Sequence, residues 1–221
     1  VSTMSIQSIA TASTVTLSAI APLVAAAIGM PSSFIGTYVC FIYIGAAFAA
    51  VAGGTMVTRY GGIHVSQGCL ILAAIGLMLS AVVNFWCIWL GGLLLGLSYG
   101  PITPASSDIL AHTVPKERMG FVFSLKQTAV PLGSALAGFI VPSVALLANN
   151  WQAGPHVMAI FALSPAFLVL YHRSSLDDPF YPCSRLSTHH VLTALRLVTS
   201  QPGLPRLCLV PLVYNLPPMV V

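Results

Sequence analysis

The sequence predicts an all-α fold: a polytopic membrane helix bundle of six transmembrane helices plus the start of a seventh. Two observations predict it. Charged residues make up 5% of the chain against 57% hydrophobic, with a mean hydropathy of +0.93, a composition outside the range of soluble globular domains. The few charges are also clustered. None precedes Arg59, and further charge-free runs extend from Tyr60 to Ser107 and from Gln127 to His172. A helix rises about 1.5 Å per residue and must cross about 30 Å of hydrocarbon, so each run holds two spans of roughly 20 residues. Strands of a transmembrane barrel would instead alternate polar and apolar residues.

The first span is expected from about Ser5 to Gly29, with Thr11, Ser13, Thr14, Thr16 and Ser18 giving it a polar stripe. The second runs from about Phe34 to Val57, the third from His64 to Val83, and the fourth from Trp86 to His112 after a turn at Asn84-Phe85. The fifth covers roughly Met119 to Ala148 and the sixth Gly154 to Tyr171. Residues 1–172 then form a six-helix amino-terminal unit. Residues 173–205 read as a connector, in which Val191, Leu192, Leu195 and Val198 recur at the spacing of an interfacial amphipathic helix, and 206–221 begin span 7. Both ends of the chain lie in apolar sequence, and we expect a fragment that lacks a carboxy-terminal half.

All eight Lys and Arg residues sit in or beside the charged islands. Basic residues accumulate in short cytoplasmic loops, so loops 2–3, 4–5 and 6–7 are expected in the cytoplasm, with the protein multi-pass in a plasma (inner) membrane. Trp86, Trp89 and Trp151 fall at the opposite boundary, where amphipathic rings are favoured. The net charge of +4 follows from these loops and implies no nucleic-acid partner. The partners expected are the lipid bilayer and a small molecule. The five cysteines (Cys40, Cys69, Cys87, Cys183, Cys208) include no CxxC pair and read as small buried side chains.

Three spans carry small residues at every fourth position: Gly45/Ala49/Gly53, Gly92/Gly96/Gly100 and Ala129/Gly133/Ala137. Lipid tails are as apolar as leucine, so helices associate in a membrane through close backbone approach, which small residues permit. Pro101, Pro104, Pro131 and Pro142 lie within spans 4 and 5, where each removes a backbone donor and invites a kink.

The loop Gly54-Thr55-Met56-Val57-Thr58-Arg59-Tyr60-Gly61-Gly62-Ile63-His64 resembles the signature loop of the major facilitator superfamily, which reads roughly G-x-L-x-D-R-x-G-R-R. Gly54, Arg59 and Gly61 match in register; Thr58 stands at the acidic position, and Gly62-Ile63 replace the basic pair. Gly96–Ser107, Pro115 and Phe123-Ser124-Leu125-Lys126-Gln127-Thr128-Ala129-Val130-Pro131-Leu132-Gly133 look like spans 4 and 5 of bacterial transporters of this superfamily, and Asn150-Trp151-Gln152 lies near its G-W-R. The resemblance implies half of a twelve-helix transporter fold, with substrate bound between halves near the midplane. It also implies secondary transport of a small solute by alternating access, with an ion-coupled mechanism expected; a proton is one such ion.

Ionisable groups inside a membrane are functional candidates by default. Lys126, followed by Gln127 and Thr128, lies inside span 5 and is a candidate contact for an anionic substrate; the alternative is a stem that snorkels back to the interface. Asp108, near the inner end of span 4, could carry a proton or could pair with Arg59 or Lys126 as a latch. Tyr99 offers a phenol from the middle of span 4. Substrate binding is thus assigned to Lys126, Gln127 and Tyr99, and gating or coupling to Gly54, Arg59, Gly61 and Asp108. No histidine pair has metal-ligand spacing within a span, no phosphate-loop pattern occurs, and no nucleophile set is arranged. Neither a cofactor nor a metal is expected, nor an enzyme. The competing reading is a non-transporting scaffold whose small-residue stripes serve assembly.

Overall fold

The computed structural model describes residues 2–31 and 33–171, all helical segments and short turns. The connector at 173–205, its amphipathic helix and the seventh span lie outside the described residues. The helices are α1 (Ser2–Ala19), α2 (Ala21–Ile28), α3 (Phe34–Tyr60), α4 (Gly62–Ser80), α5 (Phe85–Tyr99), α6 (Ile102–Thr113), α7 (Met119–Gln127), α8 (Ala129–Leu147) and α9 (Ala153–Tyr171), with a 3₁₀ turn at Lys116–Arg118 before α7.

Four continuous or nearly continuous helical stretches are long and apolar enough to cross a membrane: Phe34–Tyr60, Gly62–Ser80, Phe85–Thr113 and Lys116–Leu147. The pair α1–α2 makes a fifth if counted as one span, bent by 52°. That bend falls within the first span expected at about Ser5–Gly29. Its cause is Pro22, in the first turn of α2: proline donates no hydrogen bond to the Ser18 carbonyl, and its ring crowds that turn. The helix α9 occupies the place expected for span 6, and Pro165 lies inside it.

Local chemistry sets the turns. Asn84 is extended (φ −144°, ψ 128°), and its side-chain oxygen accepts from the Trp86 amide at 3.0 Å, satisfying a donor that the start of α5 would otherwise leave open. Gly61 alone separates α3 from α4. Its φ of +81° is a backbone conformation that a side chain would strain.

Packing runs through the small residues. Helix α5 lies against both α3 and α4, α1 lies against α8 and α9, and α4 lies against α9. A Cβ on Gly96 would collide with the Ile42 carbonyl and come within 2.9 Å of the Ala46 amide; one on Gly100 would come within 2.5 Å of the Ala46 carbonyl. From the other side, Gly45 faces Leu93, and Gly53 faces Pro101 and Pro104. The stripes of spans 2 and 4 therefore face each other and let α3 and α5 meet backbone to backbone. The third stripe does the same for α8, where Gly133 abuts the Ser8 carbonyl of α1 and Ala129 and Ala137 are fully buried.

The core has two parts. One, toward the Asn84 end, gathers Leu17, Ile20, Val24, Tyr38, Leu77, Ile88, Leu95 and Val141 among others. Trp89 closes it, with Phe34, Phe41 and Phe85 approaching its ring edge-on at centroid distances of 5.3, 4.4 and 5.7 Å, an arrangement the ring quadrupoles favour. Tyr38 is fully buried there, its hydroxyl 3.3 Å from Ser80 Oγ. The other part, toward the Arg59 end, is smaller: Ile6, Ala10, Val57, Val65, Cys69, Leu70, Ile102 and Ala105.

Candidate functional site

The proline positions create the site. Pro131 cannot donate to the carbonyl of Gln127, four residues back, and α7 ends at Gln127 while α8 begins at Ala129. Pro101 and Pro104 act likewise on the fourth span, where α5 ends at Tyr99 and α6 begins at Ile102. Pro142, by contrast, lies inside α8, which runs past it without a break. The two breaks leave two half-helices, α6 and α7, which meet at Lys126.

Lys126 is 4% exposed. It sits in the last turn of α7, where a cation offsets the partial negative charge of the open carbonyls. Its ammonium donates to the Thr103 carbonyl at 3.2 Å and to Ser107 Oγ at 2.9 Å, both on α6, and lies 5.6 Å from the centroid of the Phe123 ring. The Thr103 carbonyl also accepts from Ser106 Oγ at 3.1 Å and from Ser107 Oγ at 2.9 Å. The polar contacts that the ammonium makes among the described residues are to neutral acceptors, and no carboxylate of those residues lies within ion-pair distance of it. The stem therefore turns onto α6.

The other residues singled out from the sequence are dispersed around this point. Gln127 is exposed beside Lys126, because one helical step turns it about 100° away. Tyr99 packs against the smaller core cluster. Asp108 Oδ1 lies 3.7 Å from His112 Nδ1, one helical turn on, and the same ring nitrogen is 2.9 Å from the Asp108 carbonyl. His112 is thus a partner that the structure shows for Asp108; the sequence offered a proton-carrying role or a pairing with Arg59 or Lys126. The guanidinium of Arg59 lies 5.2 Å from the Tyr60 ring centroid, and Thr58 Oγ1 donates to the Thr55 carbonyl at 3.0 Å. Gly54 is exposed.

Gly54 and Arg59 lie within α3, and the turn at Gly61 that follows them nevertheless reaches the same half-helix. A Cβ on Gly62 would come within 2.8 Å of both the Ala105 carbonyl and Ile109 Cγ1. Helix α6 is therefore contacted by this turn and by Lys126. Thr103 and Ser107 were not singled out from the sequence; their spacing of one helical turn on the span facing Lys126 was the available signal. Among the described residues no group of three or more His, Cys, Asp or Glu is placed to hold a metal ion.

A helical bundle with several membrane-length spans, two of them broken by proline around a buried cation, has the makings of a polytopic membrane protein that handles a solute. The comparison with known families makes this specific: the family model of the Major Facilitator Superfamily matches residues 3–221. The chain belongs to that superfamily and is a membrane transporter of its kind, handling small-molecule substrates. The search of curated proteins returned no match.

Proposed function

We propose that residues 2–171 form the six-span first half of a secondary transporter that moves a small organic anion by alternating access, with Lys126 as the group that meets the anion. The observation that carries this reading is the buried ammonium, held among the described residues by neutral acceptors. Burying a cation in a membrane protein is costly, and two neutral hydrogen bonds recover only part of its lost hydration. An anion would supply the missing countercharge. The start of α6 adds its own partial positive charge beside Thr103, as half-helix termini do in other transporters.

In this reading α1–α2 and α9 complete the six spans, and the loops at Gly61 and Lys116–Arg118 face the cytoplasm of a cell with this protein in its plasma membrane. The basic residues at those loops and the tryptophans at the other end support that orientation. Asp108 and His112, together with Gly54, Arg59 and Gly61, are assigned to gating or to coupling with an ion gradient, a proton being the candidate. No enzymatic role is assigned. The scaffold alternative draws no support from the small-residue stripes, since those of α3, α5 and α8 are occupied within the bundle.

The test is uptake by the protein in proteoliposomes across a panel of organic anions, with Lys126→Ala measured alongside. Loss of uptake for anions and not for neutral solutes is expected. Unchanged affinity and rate in the variant would sink the assignment.

A further inference from the structure

The ammonium of Lys126 is covered, yet its surroundings are open. Thr103 and Gln127 are exposed on either side of it, and Ser107 and Phe123 are half-buried. An ammonium has three N–H donors; among the described residues two are engaged, both with α6. These two bonds are also the side-chain hydrogen bonds that run from α7 to α6 among those described, and each half-helix is joined to the rest of its span at a break. A flexible four-carbon stem therefore ties together two segments that each adjoin a proline-marked break in their span.

We propose that Ser107 and the Thr103 carbonyl are positioning groups that hold Lys126 in a resting clasp, and that the carboxylate of a monoanionic substrate competes with them for the ammonium, releasing α6 from α7. This rests on the anion reading above and adds to it the substrate class and the event that binding triggers. A carboxylate offers a charged acceptor where Thr103 and Ser107 offer neutral ones, and charge-assisted bonds are roughly twice as strong. One cation and one adjoining aromatic ring suit a single carboxylate attached to an apolar body. Substrate and clasp cannot both hold the same two N–H groups, so apparent affinity is lowered by the fraction of time the clasp is closed.

The direction of one mutant effect separates this from a direct contact. Acetate, lactate and benzoate serve as probes, with binding to the purified full chain followed by calorimetry. Ser107→Ala removes one resting acceptor, and the probe that binds the unaltered protein best is expected to bind the variant roughly tenfold more tightly. Ser107→Thr, which keeps the hydroxyl, is expected to stay near the unaltered value, and Lys126→Gln to lose binding. Weaker or unchanged binding in Ser107→Ala, with binding lost in Lys126→Gln, overturns the clasp and leaves the anion site standing. Full binding in Lys126→Gln, or no probe binding to the unaltered protein, overturns both.

Hydrogen exchange on the unaltered protein gives a reading independent of any variant's folding. The probe is expected to speed exchange across residues 102–113, because the clasp opens. Protection or no change of that segment by a bound probe overturns the release step.

Discussion

Helices α3 and α5 meet through their backbones, whereas α6 and α7 meet through a side chain. At the first contact Gly96 and Gly100 leave no room for a Cβ against Ile42 and Ala46, and Gly45 leaves little room against Leu93 on the other side. At the second, the ammonium of Lys126 reaches Thr103 and Ser107 on an opposing half-helix. Close-packed backbones have one arrangement, because interiors resist any change in volume. An ammonium on a long stem has several. The difference teaches where such a bundle can be rigid and where it can adjust: the fixed seam lies along α3–α5, and the adjustable one where proline has interrupted both partners.

The largest effect is expected from breaking the fixed seam. Gly96→Leu places a side chain against the Ile42 carbonyl and should destabilise the bundle by about 3 kcal/mol or more, read as a collapse of the monodisperse fraction and of Tm in detergent. Retention of a native Tm would mean that α3 and α5 can separate, and the contrast would fail. Tyr38→Phe is a milder probe of the same region. It removes the hydrogen bond to Ser80 without changing shape and should cost about 1 kcal/mol, measured as a modest fall in thermal or denaturant midpoint.

The smallest effect on stability is expected at the adjustable seam. Lys126→Ala gives up two hydrogen bonds but also relieves a buried cation of its desolvation, so the net change should stay within about 1 kcal/mol. Transport, by contrast, should be lost. A variant that unfolds along with losing transport would make Lys126 a structural strut and erase the distinction between the seams. Pro131→Ala sharpens it further: a restored donor to the Gln127 carbonyl should straighten the junction of α7 and α8 and turn Lys126 away from α6. The expected result is unchanged or higher Tm with reduced uptake.

Much of the fixed seam was legible in the sequence. The stripes at 45/49/53 and 92/96/100 follow from periodicity, and the turn at Asn84 follows from residue chemistry; both are local properties. The break at Ile20 was missed because hydropathy counts apolar residues and does not register the hydrogen bond that Pro22 fails to make. The acceptors of Lys126 were missed for a different reason. Which face of α6 meets the end of α7 depends on how two kinked helices are rotated about their axes, and that is decided by packing elsewhere. His112 illustrates the middle case, since its spacing of one turn from Asp108 was visible but competed with more distant and more strongly charged partners.

The junction at Gly61 has a mechanical consequence. With one residue between the end of α3 and the start of α4, there is no slack to absorb a tilt of either helix, and the pair behaves as a crank whose elbow is that glycine. The elbow presses on α6 through Gly62. A swing of α6 therefore pushes a stiff lever made of 27 and 19 residues, and a displacement of an ångström at the elbow is magnified at the far tips of its arms.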